Sequence, residues 1–353
     1  MKRLSRYTGL HVAGATLLVL LVLLGIDSIA AIVDGLGDIR NEYRFADVLY
    51  HVVLTFPSRI YQHIPFACLI GCLVGLGVLA GNRELVVMRS SGVSLLRITG
   101  FVLRPALIII FIGVALGEFL VPYTDQIAEN RRMLLRGDRD SLASTAGVWN
   151  REGNEFIHFN AVYPNGRIFG VTRYRFDDER RIQEVSYAAQ ASYFGDHWVE
   201  ERGRISRFGK TGIEVDEFVT RRWDSGLVPD LLQLLSMPAD SLPIGKLFNY
   251  ARYLDEQRQK SSSYWLAFWS KVLKPVSVIS LVLIAVSFIF GPLREATMGY
   301  RIFAGVITGI VFQTSQSLLG PSSVVFGFPP FWAVITPAAL TILIGLMLLR
   351  RAA

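Results

Sequence analysis

Charge is scarce in this chain. Only 18% of its 353 residues are Asp, Glu, Lys or Arg, and 52% are hydrophobic. An ordinary soluble domain carries about 25% charged residues, so much of this chain needs a solvent other than water. Cysteine is nearly absent. Cys68 and Cys72 are the only two, four apart on one helical face, and they read as small buried residues rather than a disulfide or metal pair. The stretch 123–262 has none and must fold without disulfides. Catalytic signatures are missing too. There is no phosphate-cradling G-x-x-x-x-G-K-[ST] loop, so ATP is not bound by that route, and no G-x-S-x-G nucleophile elbow. His158 and His197 lack a Cys or carboxylate set at metal-ligand spacing, and Asp177, Asp178 and Glu179 read as a solvated turn. The sequence offers no catalytic residue, no metal site and no cofactor of its own.

What is present is apolar length. Residues 10–36, 48–81, 98–122, 263–293, 302–320 and 324–349 form six strongly apolar runs, and a bilayer core needs about 20 helical residues. The first run is longer than a signal-peptide core and reads as an uncleaved helix. Pro57 and Pro65 predict a bent second span. Gly320-Pro321 reads as a stop for the fifth, and Ser322 to Leu349, free of charge, reads as the sixth with a kink at Pro337.

Net charge is +7, yet its layout argues against nucleic acid. Lys2, Arg3 and Arg6 precede the first run, and Arg83, Arg89, Arg97 and Arg104 lie between or beside the second and third. Arg294 and Arg301 follow the fourth, and Arg350 and Arg351 follow the sixth. Basic residues at every second loop are the positive-inside pattern. Both termini of this polytopic inner-membrane protein are therefore expected in the cytoplasm, with 123–261 on the outer side. The predicted class is an α+β membrane protein: spans one to three in 1–122, an all-β, jelly-roll-like domain with helical flanks in 123–261, and spans four to six in 262–353. The β reading rests on period-two alternation such as Val185 to Tyr193, with turns at 151–154, 164–166, 177–178, 195–196 and 209–212. Gly71-x-x-x-Gly75, Gly77-x-x-x-Gly81 and Gly305-x-x-x-Gly309 allow close helix approach, within the chain or between subunits.

Asp27, Arg59, Glu118, Lys271 and Lys274 all fall within predicted spans. Each costs about 2.5–3.5 kcal/mol at the bilayer centre on insertion scales, so each faces a cavity, a partner or the headgroups. The inferred topology puts all five in the outer half. They predict a mixed-charge cavity in which Arg59, Lys271 and Lys274 hold an anionic lipid headgroup beside Asp27 and Glu118. The alternative is internal pairing, Arg59 with Asp27 for example. The inner loop 82–94 predicts a short amphipathic helix closed by Gly92. Its one acid, Glu84, is either presented to a basic groove on a cytosolic partner or serves as a helix-start residue.

The order of three spans, a β-domain and three spans resembles the LptF/LptG permease family of the lipopolysaccharide exporter, and leans to its LptG arm. The residues carrying the resemblance are Gly81-Asn-Arg-Glu-Leu-Val-Val-Met-Arg-Ser-Ser-Gly92, Gly117-Glu-Phe-Leu-Val-Pro122, Trp269-Ser-Lys-Val-Leu-Lys-Pro275 and Ser287-Phe-Ile-Phe-Gly-Pro-Leu-Arg294. The resemblance implies an LptF-type second permease, a dimeric cytosolic ABC ATPase that binds the ATP, and a periplasmic bridge of jelly-roll fold. Lipopolysaccharide is the implied cargo, drawn from the outer leaflet. It also implies that 82–94 is the coupling helix, with Glu84, Arg83 and Arg89 toward the ATPase. Family members carry lysines near the outer end of the first helix. Here that region offers Ala31, Asp34, Gly37 and Asp38, with Arg40 the first base, so Arg59 is expected to substitute. Two readings from other classes stand beside this one: a membrane scaffold for the β-domain, and an ion-coupled transporter using Asp27 and Glu118.

Overall fold

A computed structural model describes residues 2–39, 42–135, 148–162, 167–209, 212–227, 239–256, 259–291 and 296–352. The chain divides into two compact units. One comprises Met1–Ile39, Phe45–Ala128 and Ala239–Ala353, the other Arg40–Arg44 and Glu129–Pro238.

The first unit is helical: α1 Lys2–Leu36, α2 Phe45–Leu54, α3 Phe56–Gly81, α4 Glu84–Ser90 and α5 Leu95–Ala115. A π-helical turn, Leu116–Leu120, joins α5 to α6, Val121–Leu135, whose residues from Glu129 onward belong to the second unit. After a 3₁₀ turn at Ala239–Ser241 come α7 Ile244–Glu256, α8 Ser262–Val272, α9 Lys274–Phe290, α10 Met298–Phe326 and α11 Pro330–Ala352. Five continuous stretches are long and apolar enough to cross a bilayer, and α8 with α9 supplies a sixth, bent by 50°. The bend has a local cause. Pro275 has no N–H to give the carbonyl of Lys271, four residues back, and its ring crowds that carbonyl.

Proline acts differently elsewhere. The second apolar run is two helices rather than one bent one, because the chain breaks at Thr55 and Pro57 sits in the first turn of α3, where no N–H is needed. Gly320-Pro321 does not stop the fifth span. Helix α10 continues to Phe326 and ends at Gly327 in the left-handed region, φ 75°. The Ser323 hydroxyl donates to the Gly320 carbonyl at 2.6 Å, and the helix passes the proline unbroken. The sixth span therefore starts at Pro330, not Ser322.

Helix α3 is the hub. Cys68, Cys72, Leu69, Leu73, Leu76 and Leu79 are all buried along it, and both thiols are free. A Cβ on Gly71 would run into Thr16 of α1, and one on Gly309 would meet the Phe66 ring at 2.6 Å. Both small-residue faces therefore serve packing within the chain. Hydroxyls join other helices: Ser287 Oγ donates to the Gly345 carbonyl at 2.7 Å, and Gln316 donates to Ser277 Oγ at 3.2 Å. Such bonds hold helices where lipid supplies no hydrophobic drive.

The second unit carries an antiparallel sheet: β1 Val148–Glu152, β2 Glu155–Phe159, β3 Ala161–Val162, β4 Arg167–Phe176, β5 Ile182–Tyr193, β6 Trp198–Gly209 and β7 Gly212–Trp223. Its order is β1-β2-β4-β5-β6-β7, with β3 beside β4. The described strands form a meander, which refines the jelly-roll expectation. Strand β1 runs through Arg151-Glu152, where a turn was expected. The turn falls at Gly153, φ 58°.

The meander closes on itself. Strands β1 and β7 occupy opposite edges, yet Glu152 at the end of β1 accepts from the Gly226 N–H at 2.7 Å and the Ser225 hydroxyl at 2.6 Å, just past β7. Arg173 of β4 reaches Glu200 of β6 across β5. Both contacts require a strongly curled sheet. Inside the curl lie Ile157, Phe159, Ile168, Val171, Ala188, Ala191, Trp198, Trp223 and Leu227, with the Trp198 indole donating to the Leu227 carbonyl at 2.7 Å.

Candidate functional site

The five membrane charges do not share one cavity. Arg59 and Tyr61 are two apart on α3, about 200° around the helix at 3.6 residues per turn, so their side chains leave opposite faces. On the α1 face, Arg59 pairs through Nη1 with the Asp27 carboxylate, and its Nε donates to Thr55 Oγ1 at 3.3 Å. His63, one turn on, brings Nε2 within 3.6 Å of the other Asp27 oxygen. The sequence reading missed His63, although its i, i+4 spacing from Arg59 was visible.

On the other face, Tyr61 lies against Gly117 of the π turn, and the Lys274 ammonium stands 3.8 Å from the Tyr61 ring centroid. This cation–π contact had no signal in the sequence. Lys271 is 6% exposed. Its ammonium donates to the Leu242 carbonyl at 2.6 Å and reaches the Gly117 carbonyl at 3.4 Å. Glu118 accepts from the Ile244 N–H at 2.8 Å and 3.1 Å, one contact to each oxygen. A carboxylate there satisfies an orphan donor and meets the positive end of α7. Asp125 accepts from Ser241 at 3.3 Å. Lys271, Glu118 and Asp125 thus clamp the segment 239–244 where the chain re-enters the bundle.

Lys271→Met keeps the apolar stem and removes the donor, leaving the Leu242 carbonyl unpaired at a cost of about 1–3 kcal/mol. Faster amide exchange at 242–247, with the remaining helices unchanged, is the expected result. Unchanged exchange there would show that the ammonium is not the brace.

At the other end of α3, the predicted helix in 82–94 is α4. Its left-handed start is Arg83, φ 61°, and Glu84 opens its first turn, with Asn82 Nδ2 3.4 Å from its carboxylate. Gly92, φ 83°, closes it. Val93 N–H bonds to the Met88 carbonyl and Gly92 N–H to Arg89, a Schellman closure. Leu85 and Met88 are buried in the bundle core, while Val86 and Val87 are exposed. Arg89 and Ser90 line a cavity of about 320 Å³ with Ala80, Leu85, Val86, Ile289 and Phe290. Arg40 and Arg294 lie outside the described residues.

In the sheet, His158 packs on Trp149, centroids 4.7 Å apart, and partial burial lowers its pKa. The Asp196 carboxyl is held below its usual range, first by its hydrogen bond to His197 and also by the charge of Arg222. Among the described residues no cluster of His, Cys, Asp or Glu has metal-binding geometry.

The model of the family described as Lipopolysaccharide export system permease LptF/LptG matches residues 6–351. The chain is 33% identical over 352 residues to the lipopolysaccharide export system permease protein LptG of Escherichia coli K12, covering 99% of this chain and 98% of that one. It is also 33% identical over 351 residues to the protein of the same name from Haemophilus influenzae, with the same coverage.

Proposed function

Because this chain belongs to the LptF/LptG family of lipopolysaccharide export permeases, we propose that it is the LptG-type permease of an ATP-driven exporter. It draws lipopolysaccharide from the outer leaflet of the inner membrane and passes it to a periplasmic bridge. The observation that carries this reading is the match along nearly the whole chain, over both the spans and the β-domain. The termini and α4 face the cytoplasm, as the arginine-rich inner loops require.

The chain supplies no nucleotide site. A dimeric cytosolic ATPase docks on α4, where Glu84 offers a carboxylate to a basic groove, flanked by Arg83 and Arg89. Because Leu85 and Met88 are rooted in the core, displacing α4 shifts α3, α5 and α9 with it. An LptF-type permease completes the lipid cavity. Arg59, on the α1 face of α3, is the cation offered to headgroup phosphates, with Arg40 a further candidate, while Lys274 packs on Tyr61 on the other face and Lys271 and Glu118 position the re-entry segment. Among the described residues, strand β7 pairs only with β6, and Ile213, Val215 and Val219 are exposed along it. That edge suits strand addition by a neighbouring β-domain.

Glu84→Gln should reduce ATP-driven lipopolysaccharide release from proteoliposomes about tenfold or more, the scale of losing one partner of an interfacial charge pair. A Glu84→Cys variant should react with impermeant maleimide only from the cytoplasmic side. Labelling from the periplasmic side would refute the topology and the docking together.

A further inference from the structure

The acid beside Arg59 is unexplained by a headgroup-binding role. A site built only to attract phosphate has no use for a carboxylate on its cation, and an unneeded charge in a span is costly. Yet Asp27 pairs with Arg59, and His63 flanks the same carboxylate. The group remains accessible, with side chains 19% exposed at Arg59 and 33% at Asp27. The guanidinium is only part-used. Nε donates to Thr55, and Nη1 is shared between the carboxylate and the carbonyl of Asp27. Among the described residues, Nη2 has no protein acceptor.

We propose that Asp27 is a selectivity residue, an internal anion that keeps Arg59 from singly charged phosphodiester headgroups and yields it to phosphomonoesters. The inference rests on the reading of Arg59 as a headgroup ligand and deepens it. A phosphodiester carries one negative charge, like the carboxylate it must displace. The carboxylate is held in place by α1, so its effective concentration at Arg59 is high and it pays little association entropy. A phosphomonoester carries about −1.5 to −2 at neutral pH and three acceptor oxygens. It therefore bonds to Nη2 as it approaches and outcompetes Asp27 for Nη1. Ordinary bilayer phospholipids are mostly diesters, so the arrangement prevents the membrane itself from filling the site. Asp27 and Arg59 lie on different helices, so displacement also releases α1 from α3 at this end. Phosphate recognition and helix separation thereby become one event.

The test compares two lipids with the same tails. The detergent-extracted assembly containing this chain is placed in phosphatidylcholine nanodiscs doped with phosphatidic acid, a monoester, or phosphatidylglycerol, a diester. Retained lipid is read by native mass spectrometry. The parent should favour phosphatidic acid by on the order of tenfold, about one tenfold step in binding constant. Asp27→Asn should reduce that ratio to about twofold, chiefly by admitting phosphatidylglycerol. Asp27→Glu, which keeps the charge, should keep the parental ratio, and so controls for folding. Arg59→Gln should lose retention of phosphatidic acid. A parental ratio in Asp27→Asn, with Arg59→Gln defective, overturns the selectivity role alone. Parental retention in Arg59→Gln overturns the headgroup role of Arg59, and the proposal with it.

Discussion

Glu200→Ala should lower the stability of the β-unit by about 3–5 kcal/mol, the usual cost of leaving one member of a buried ion pair alone. Arg173 is 2% exposed and Glu200 1%. Their contact is bidentate, Nε to Oε1 at 2.8 Å and Nη2 to Oε2 at 2.9 Å, and Nη1 takes Glu155 at 2.8 Å. The guanidinium also lies 5.0 Å from the Trp223 ring centroid. Removing Glu200 strips two of those bonds from a cation that water cannot easily reach. Since whole domains are stable by only about 5–15 kcal/mol, the loss is large. Urea unfolding followed by the fluorescence of buried Trp198 and Trp223 should show a clearly lower midpoint. A midpoint equal to the parent's would mean that Glu155 alone satisfies Arg173.

Gly71→Leu should separate α1 from α3. The new Cβ would fall onto Thr16, whose own Cβ lies at 2.8 Å and whose backbone Cα is closer still. Backbone cannot rotate out of the way as a side-chain tip can. Overpacking typically costs about 1–3 kcal/mol and sometimes more, and here the loss extends along the groove, because Gly75 meets the Val12 Cα at 2.9 Å. A cysteine pair at positions 16 and 71 cannot report on this variant, so thermal aggregation of the purified protein is the measurement. Gly71→Leu should melt well below the parent. Gly81→Leu, where nothing lies within 4 Å, should melt with the parent. Equal melting of both variants would show that α1 moves aside at little cost.

The spans were legible because bilayer thickness imposes a length that can be counted, and the strands because short β-rich runs are set off by turns. The buried face was not: along β5 Ser186 and Ala188 point inward and the phase then slips to Ala191, leaving Tyr187 exposed. The closure of α4 at Gly92 was legible, since a left-handed residue after a short helix favours glycine. Proline was read less well. Gly320-Pro321 looked like a stop, but a proline removes one backbone bond and need not end a helix inside a packed membrane bundle, and α10 runs on to Phe326. The charged positions were found, but not their company. Lys271 and Lys274 were grouped by spacing, yet one bonds to carbonyls of 117 and 242 and the other to an aromatic ring on α3. Sequence distances of 154 and 29 residues in the Lys271 contacts leave no local pattern to read.

The sequence alone determined that the chain is a multi-pass membrane protein, that up to six stretches are long and apolar enough to cross, which segment forms the β-sheet and where its charges are anomalous. Each of these follows from local composition set against the fixed thickness and low dielectric of a bilayer. Tertiary structure decided which charges meet: Asp27 with Arg59 on one face of α3, Lys274 with Tyr61 on the other, Arg173 with Glu200 across a curled sheet. Pairing depends on which helix faces and strands are brought together in space, and that is set by close packing at positions such as Gly71, not by the charges themselves.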